Sequence, residues 1–295
     1  MMKVALYSKG ILENNIQVYM DIINCLTTNN IELVLHEDLQ VALTNNFKAK
    51  DDRIVYKNYS ELIRHKVDFM ISIGGDGTFL NTLLFVKDSN IPVLGFNIGR
   101  LGFLANNSID EIDSVIQALI NNKFIIESRS VIELETSAPL FKEDRYALND
   151  FTIHKRDNSS LTAITTYLNG EFFNKYWGDG LIVATPTGST AYSMSCGGPI
   201  VYPEASNFVI TPVAPHNLNV RPVIVPDNVE LSFEINSREG GFLISLDSRY
   251  KIVDETYKLK LKKAPFNIQL VRLNDMKFSD IIREKLNWGI DSRNV

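Results

Sequence analysis

One glycine-rich turn that carries an acid constrains the fold of this chain more than any other feature. The sequence Gly74-Gly75-Asp76-Gly77-Thr78 separates two apolar runs, at residues 67–73 and 79–86. The first run is typical of a buried parallel strand, and the second of a helix with little exposed apolar surface. Glycines let the backbone approach a ligand closely, and the first N–H groups of a helix lack internal partners. The turn therefore predicts a phosphate-binding site between a strand and a helix.

Asp76 is the unusual residue of this turn. An aspartate that faces phosphate repels it, unless the carboxylate holds a metal ion or accepts a proton from an attacking hydroxyl group. We hypothesise from this that Asp76 serves phosphoryl transfer. The alternative is an ordinary strand-to-helix turn, in which Asp-Gly supplies the turn chemistry and Thr78 lies near the helix N-terminus.

The length and composition of the chain favour a two-domain globular protein. Its 295 residues exceed one small domain, and an apolar fraction of 45% supports a sizeable core. The net charge of −5 argues against nucleic acid or an anionic membrane as a partner. Cys25 and Cys196 lie far apart without metal-ligand spacing, so we expect free thiols. Because there is no signal-peptide pattern and no apolar run of transmembrane length, we expect a cytoplasmic protein.

The first part of the chain, residues 1–127, alternates strands with helices. This order predicts an α/β domain with a mostly parallel sheet covered on both faces. Ligands of such sheets bind outside the carboxyl ends of the strands, where Asp76 and the loop 97–104 both fall. Residues 38–60 have no interpretable pattern. The predicted strands lie at 3–8, 31–35, 67–73 and 91–97, and the helices at 16–26, 79–86 and 109–119.

The periodicity changes near residue 128. Short, alternating, β-branched segments predict an all-β, antiparallel domain over residues 128–272. Asn169-Gly170 indicates a type I′ hairpin between two of the strands. A helix is predicted at about 278–286. The predicted strands lie at 131–136, 146–154, 161–168, 171–176, 181–185, 208–212, 223–225, 229–235, 242–246, 257–261 and 268–271.

Polar residues interrupt these strand patterns at two places. Asn149-Asp150 lies inside a strand pattern, where both residue types are disfavoured. The pair is either a bulge or edge position, or a hydrogen-bonding pair suited to ribose hydroxyls or an exocyclic amine.

The second place is Gly178-Asp179-Gly180 followed by the hydroxyl-rich stretch 185–193. This stretch predicts a turn that opens a short helix from Thr190 to Cys196. It either holds a nucleotide, with Tyr192 along a base or nicotinamide ring, or is a Ser/Thr-capped helix after a proline turn. It is not a P-loop, because the lysine of that motif is missing.

Taken together, these stretches resemble the NAD kinase family. The resemblance covers nearly the whole chain. The glycine-aspartate turn alone is shared with diacylglycerol, sphingosine and phosphofructokinase-type kinases, whereas the string Thr-Pro-Thr-Gly-Ser-Thr-Ala-Tyr-Ser at 185–193 is much more specific. The matching stretches, in the order of the family, are residues 74–78, 95–104, 149–150, 178–180, 185–193 and 215–216.

The resemblance implies ATP-dependent phosphorylation of the adenosine ribose 2′-hydroxyl of NAD, which gives NADP. It implies a divalent metal ion, Mg²⁺ by expectation, and a homo-oligomer, either dimer or tetramer. It also implies that a C-terminal helical segment, residues 273–295, returns to the N-terminal domain. By motif match, Asp76 is the proton acceptor. The residues implied to bind substrate are Gly77, Phe103, Asn149, Asp150, Asp179, Thr190, Ala191, Tyr192, Ser193, Met194, Ser195 and Ala214.

Two departures from the family pattern bear on the substrate. Asp150 stands where the family has Glu, and Trp177 stands where many members carry a cation. The Trp177 ring either packs against a ligand ring or favours one oxidation state of the dinucleotide. Two other functions stay open: a lipid kinase of the diacylglycerol or sphingosine type, and a non-catalytic nucleotide sensor. The phosphoryl donor is ATP, another triphosphate or inorganic polyphosphate.

Overall fold

The computed structural model describes residues 1–9, 16–47, 53–156, 162–236, 241–273 and 277–288. Its contacts divide the chain into two compact units: the first comprises residues 1–128 and 268–295, and the second comprises residues 129–267. Within the described ranges, no helix is both long and apolar enough to cross a membrane.

The first unit is built on a mostly parallel sheet. The elements before residue 130 are β1 (Lys3–Tyr7), α1 (Ile16–Thr28), β2 (Glu32–His36), α2 (Glu37–Phe47), β3 (Ile54–Tyr56), α3 (Tyr59–Arg64), β4 (Phe69–Ile73), α4 (Asp76–Val86), β5 (Val93–Asn97), β6 (Asn107–Ser108), α5 (Ile112–Ile120) and β7 (Phe124–Arg129). The chain returns to this unit with β20 (Ile268–Leu273) and α7 (Phe278–Leu286). The strand order of the sheet is β3-β2-β1-β4-β5-β20-β7, with β6 paired to β5. The predicted α/β class is confirmed.

Strand β4 and helix α4 form the centre of the first unit. All five residues of β4 are buried, and Phe79 and Leu83 of α4 are also buried. The helix begins at Asp76, earlier than the predicted apolar run, because Gly75 adopts an extended conformation and serves as its N-cap. Asp76 therefore occupies the first helical turn, where a carboxylate is favoured by the helix dipole.

The sequence predicts the strand at 268–271 to be part of the antiparallel domain, but the structure places it in the first unit. It is β20, and it pairs in parallel with β5 through Leu270 and Val93. The error has a physical cause: a short apolar run reports burial, but it does not report which sheet buries it. The neighbouring edge strand β7 was not predicted, because its exposed Ile125 and Ile126 break the alternation of polar and apolar residues.

The elements of the second unit are β8 (Ile132–Thr136), β9 (Tyr146–Ala147), β10 (Asp150–Lys155), β11 (Thr162–Leu168), β12 (Glu171–Gly178), β13 (Gly180–Ala184), α6 (Tyr192–Ser195), β14 (Asn207–Val213), β15 (Val223–Pro226), β16 (Leu231–Asn236), β17 (Phe242–Leu246), β18 (Arg249–Val253) and β19 (Leu259–Lys263). Its strands form two antiparallel six-stranded sheets, with orders β15-β14-β13-β10-β17-β18 and β12-β11-β16-β19-β8-β9. Both sheets contribute to one apolar core, in which the rings of Phe151 and Phe233 lie 5.7 Å apart.

The predicted hairpin between β11 and β12 is confirmed. Asn169 and Gly170 both have positive φ, as a type I′ turn requires. The single strand predicted at 146–154 is instead two strands, because the chain leaves the ladder at Leu148 and Asn149. Strand β18 was not predicted.

Candidate active site

Asp76 lies at the carboxyl end of β4, and its carboxylate receives three consecutive backbone N–H groups. Phe103 donates to Oδ2 at 2.8 Å, while Leu104 and Ala105 donate to Oδ1 at 3.0 and 2.9 Å. Hydrogen bonds to an ionised carboxylate are short and strong, so the side chain is held in one orientation. Each carboxylate oxygen can accept about two hydrogen bonds, so Oδ2 keeps one acceptor position.

Two glycines allow the loop after β5 to approach Asp76 this closely. A Cβ at Gly102 would overlap Oδ1 of Asp76, and a Cβ at Gly95 would lie 2.7 Å from the Cα of Ala105. The turn is closed by the N–H of Gly102, which donates to the carbonyl of Ala105 at 2.8 Å. Two of the three glycines in the stretch 95–104, Gly95 and Gly102, are therefore explained by this close approach.

The start of α4 is open beside the carboxylate. A Cβ at Gly75 or Gly77 would meet no atom within 4 Å. The first helical hydrogen bonds are donated by Thr78 and Phe79 to the carbonyl of Gly75, so the N–H groups of Asp76 and Gly77 precede the helical ladder. Gly74 is not available in the same way, because its N–H donates to the carbonyl of Phe96. This geometry leaves space and donors for an anion at the first turn.

Phe103 links this site to the C-terminal helix. Its N–H bonds to Asp76, and its ring lies 5.6 Å from the ammonium group of Lys285 in α7. The helix predicted at 278–286 has those bounds and packs in the first unit, so the predicted return of the terminal segment is confirmed.

In the second unit, the Asn149-Asp150 pair lies where the chain passes from β9 to β10. The amide oxygen of Asn149 is buried and has no hydrogen-bond partner among the described residues. An unsatisfied buried acceptor is costly unless a ligand supplies the donor. Asp150 is 6% exposed, and burial, with a further contribution from the charge of Asp247, raises its pKa to about 7.

The hydroxyl-rich stretch packs directly on this pair. Thr185 donates its hydroxyl to the carbonyl of Leu148 at 2.6 Å and its N–H to the carbonyl of Asn149 at 2.8 Å. Gly188 passes so close to Asn149 that a Cβ would overlap the Asn149 carbonyl. The structure therefore brings together two stretches that are far apart in sequence.

The predicted helix from Thr190 to Cys196 is shorter than expected. Residues 187–190 form a 3₁₀ turn, and α6 covers only Tyr192–Ser195. Tyr192 is 39% exposed, and its pKa is raised mainly by burial, with smaller contributions from Cys196, Asp150 and Asp179. The Tyr192 ring therefore lies in the same polar region as the two acids.

Several hydroxyl groups of this stretch bond within the protein. The buried Ser193 hydroxyl pairs with that of Thr211 at 2.8 Å, and the Thr190 hydroxyl donates to the carbonyl of Thr187 at 3.2 Å. Ala191 and Met194 are half-buried, and Ser195 is exposed. The hydroxyls of Ser193 and Thr190 thus hold the turn, and Ser195 remains accessible to a ligand.

Asp179 and Ala214 are also neighbours. The Asp179 carboxylate pairs with the Lys155 ammonium at 2.6 Å, and its N–H donates to the carbonyl of Val213 at 3.0 Å. Ala214 has a φ of +43°, a left-handed conformation that is strained for a residue with a Cβ. Gly178 is required here, because its Cβ would lie 2.8 Å from the Val213 carbonyl. Lys155 therefore contacts a candidate site residue.

Both halves of the chain match models of one family. Residues 4–124 match the ATP-NAD kinase N-terminal domain, and residues 148–273 match the ATP-NAD kinase C-terminal domain. A NAD kinase of Cytophaga hutchinsonii is 45% identical over 291 residues, which cover 98% of this chain and 99% of that protein. The chain belongs to the ATP-NAD kinase family. A NAD kinase of Flavobacterium psychrophilum is 40% identical, over 99% of this chain and all of that protein.

Solved structures of the ATP-NAD kinase family share the fold. Yeast NADH kinase complexed with NADH gives a TM-score of 0.87 at 24% identity, covering all of this chain and 90% of that chain. An NAD kinase from Archaeoglobus fulgidus in complex with ATP gives a TM-score of 0.73 at 23% identity, covering 97% of this chain and 99% of that chain.

Membership of the ATP-NAD kinase family identifies the chain as an enzyme, a kinase of the NAD kinase class. This family membership therefore disfavours the two alternative functions, a lipid kinase and a non-catalytic sensor. Both cysteines are free thiols, as predicted.

Proposed function

We propose that the chain transfers a phosphoryl group from ATP to the adenosine ribose 2′-hydroxyl of NAD, giving NADP, with Asp76 as the proton acceptor. The observation that carries this proposal is the Asp76 carboxylate, held by three N–H groups with one acceptor position left on Oδ2. Relatives named NAD kinase, and family structures complexed with NADH and with ATP, support the two substrates.

The role of Asp76 follows from how phosphoryl transfer is catalysed. The reaction offers the protein little covalent chemistry, so positioning and charge neutralisation carry most of the catalysis. A general base must lie within hydrogen-bond distance of the proton that it accepts. A carboxylate fixed by three N–H groups presents its free acceptor position without reorganising.

The proposed reaction uses a divalent metal ion, Mg²⁺ by expectation. In the described part of the chain, no group of three or more His, Cys, Asp or Glu side chains is arranged to hold a metal. This fits Mg²⁺, which binds kinases through nucleotide phosphates and one or two carboxylates rather than through an all-protein cage. Asp76 is the carboxylate at the open start of α4. When bound, the ion would neutralise the charge of the ATP phosphates.

The polar cluster of the second unit is proposed to bind the dinucleotide. The unsatisfied Asn149 amide oxygen would accept a hydrogen bond from a hydroxyl or an exocyclic amine. The exposed Tyr192 ring would stack on a base or nicotinamide ring. Asp150 and Asp179 would accept or donate hydrogen bonds at ribose groups. The same role is proposed for further residues of this unit, namely Thr190, Ala191, Ser193, Met194, Ser195 and Ala214. In the first unit, it is proposed for Gly77 and Phe103.

We also propose that the protein is a cytoplasmic homo-oligomer, a dimer or a tetramer. Exposed apolar side chains lie on both edge strands of one sheet: Ile224 on β15, and Tyr250 and Ile252 on β18. Unpaired edge strands with such side chains favour association. Light scattering after size-exclusion chromatography tests this, and a monomer at micromolar concentration would contradict it.

A coupled assay tests the proposed reaction. Purified protein is incubated with NAD, ATP and Mg²⁺, and NADP is measured with an NADP-specific dehydrogenase. Parallel reactions replace NAD with NADH, ATP with polyphosphate, or NAD with a diacylglycerol or sphingosine vesicle. We expect NADP from a dinucleotide and no lipid phosphorylation. Faster phosphate transfer to lipid, or no product with either dinucleotide, would overturn the proposal.

A further inference from the structure

A second aspartate holds the backbone that carries Asn149 and Asp150. The carboxylate of Asp247, in the turn between β17 and β18, receives the N–H groups of three consecutive residues. Leu148 donates to Oδ2 at 3.0 Å, and Asn149 and Asp150 donate to Oδ1 at 2.8 and 3.2 Å. In return, the N–H of Asp247 donates to the carbonyl of Asp150 at 2.9 Å.

The remaining carbonyl groups of this segment bond to Thr185. Its hydroxyl donates to the carbonyl of Leu148, and its N–H donates to the carbonyl of Asn149. Every backbone N–H and C=O group of residues 148–150 is therefore bonded to either Asp247 or Thr185. Because these backbone groups are already hydrogen-bonded, Leu148 and Asn149 cannot also pair with a neighbouring strand as part of β9 or β10.

Asp247 is well placed to act through charge as well. Its side chain is 3% exposed, and Oδ2 lies 4.0 Å from the guanidinium of Arg249, which also donates to the carbonyls of Asp144 and Tyr146. Three N–H donors and one cation favour the ionised form of Asp247, although burial raises its pKa. Burial, with a further contribution from the charge of Asp247, raises the pKa of Asp150, so this carboxyl holds its proton more tightly than an ordinary aspartate.

We infer that Asp247 is a positioning residue of the dinucleotide site: its carboxylate fixes residues 148–150, so that the Asn149 amide and the Asp150 carboxyl are presented together to the substrate. This inference rests on the proposed function for the identity of the ligand. Asp247 itself acts through its bonds to the backbone of residues 148–150, and its position in a hairpin turn gives no sequence signal of this role.

The test uses Asp247→Asn in the full chain, with Asp254→Asn as the matched control. Asp254 is an exposed turn residue of the same unit, and its carboxylate accepts hydrogen bonds from the N–H and hydroxyl of the nearby Thr256. An asparagine at 247 keeps one acceptor oxygen but loses the charge and at least one of the three bonds. We expect amide hydrogen exchange at residues 148–150 to become roughly tenfold faster or more, while the amide of Asp179 stays protected.

Two further readouts separate positioning from general destabilisation. We expect the Kd for NAD, measured by calorimetry, to rise about tenfold or more, with a smaller fall in kcat at saturating NAD. The pH midpoint of NAD binding is also expected to move downward, because the charge that disfavours ionisation of Asp150 is removed. Thr185→Val, but not Thr185→Ser, should weaken NAD binding in the same direction.

The outcomes distinguish this inference from the proposed function. Unchanged exchange at residues 148–150 and unchanged NAD affinity in folded Asp247→Asn would overturn the inference, even if the wild-type protein makes NADP. Faster local exchange and a shifted Asp150 titration in a protein that makes no NADP would retain the positioning role and overturn the proposed function.

Discussion

Gly102 and Asp76 lie so close that a side chain at position 102 cannot coexist with the observed carboxylate: a Cβ there would overlap Oδ1 of Asp76 and lie 3.0 Å from the carbonyl of Ala105. Gly102 therefore helps to hold the Asp76 carboxylate in position, although it contributes no functional group. This relationship makes the position of Asp76 testable without changing Asp76 itself.

Replacing Gly102 with Ala should displace the carboxylate. We expect NADP formation to fall by roughly 100-fold, since small misplacements of a reacting group have effects of this size. Overpacking should also destabilise the first unit by about 1–3 kcal/mol. Gly77→Ala is the control for stability, because a Cβ there meets open space, and its melting temperature should match that of the wild type. A Gly102→Ala enzyme with normal kcat would argue against the fixed-carboxylate account.

Removing the Tyr192 ring should weaken dinucleotide binding more than it slows the bound step. Stacking of a base on an aromatic ring is worth roughly 1–3 kcal/mol, so Tyr192→Ala is expected to raise the Kd for NAD about tenfold. Tyr192→Phe keeps the ring and should bind NAD nearly as well as the wild type. Equal NAD affinity in Tyr192→Ala and the wild type, measured by calorimetry, would contradict the stacking role.

The sequence located the features that depend on neighbouring residues. The turn at Asp76, the hairpin at Asn169-Gly170 and the helix Phe278–Leu286 each follow from a local pattern, and each is present. The features that were not predicted depend on pairing between residues that are far apart in the sequence. Asp247 lies 97–99 positions from the N–H groups it binds, and its turn looks like any other hairpin turn. No local pattern reports such a partner.

The same limit explains the misplaced strand β20. Its apolar residues showed that it is buried, but only the pairing of Leu270 with Val93 shows that it belongs to the parallel sheet. Among the candidate site residues, the sequence identified the Asn149-Asp150 pair by its unsuitability for a strand. It gave no sign that Thr185 bonds to the backbone of that pair rather than facing outward.

The buried Asp150 carboxyl should make stability depend on pH. Its pKa is about 7 in the folded protein, against 3.8 for an ordinary aspartate, so the folded state holds the proton more tightly. The favourable contribution of Asp150 to the free energy of unfolding is complete below pH 3.8 and is lost as the pH rises through 7. Asp150→Asn, measured by urea unfolding, should therefore gain stability relative to the wild type by roughly 2–3 kcal/mol between pH 5 and pH 8. A stability difference between Asp150→Asn and the wild type that does not change with pH would contradict this prediction.

His36 should make the stability of the protein depend on pH in the opposite direction. Its buried ring contacts Tyr7, Tyr56 and Phe85 at 5.0–5.3 Å, and burial lowers its pKa despite Asp38 and Glu37 nearby. The unfolded chain then binds the proton more readily, so His36 contributes stability above its unfolded pKa of about 6.5 that is lost as the pH falls.

The variant His36→Phe removes this titration and keeps an aromatic ring in the cluster. Its unfolding free energy should fall less steeply than that of the wild type between pH 7.5 and pH 5.5, by at most about 1.4 kcal/mol for each pH unit. Chemical denaturation at three pH values provides the comparison. Parallel pH profiles for the two proteins would show that the pKa of His36 is the same in the folded and unfolded states, which would contradict this prediction.

The most direct test of the central claim is single-turnover NADP formation by Asp76→Asn, alongside NAD binding by the same protein. An asparagine oxygen can take the place of Oδ1 and keep the bonds from Leu104 and Ala105, so the fold should survive. Asp88→Asn, in the short 3₁₀ helix Lys87–Ser89 that follows α4, is the matched control. The account predicts that Asp76→Asn loses at least about 1,000-fold in rate while binding NAD within a few-fold of the wild type. A folded Asp76→Asn protein with near-normal turnover would contradict it.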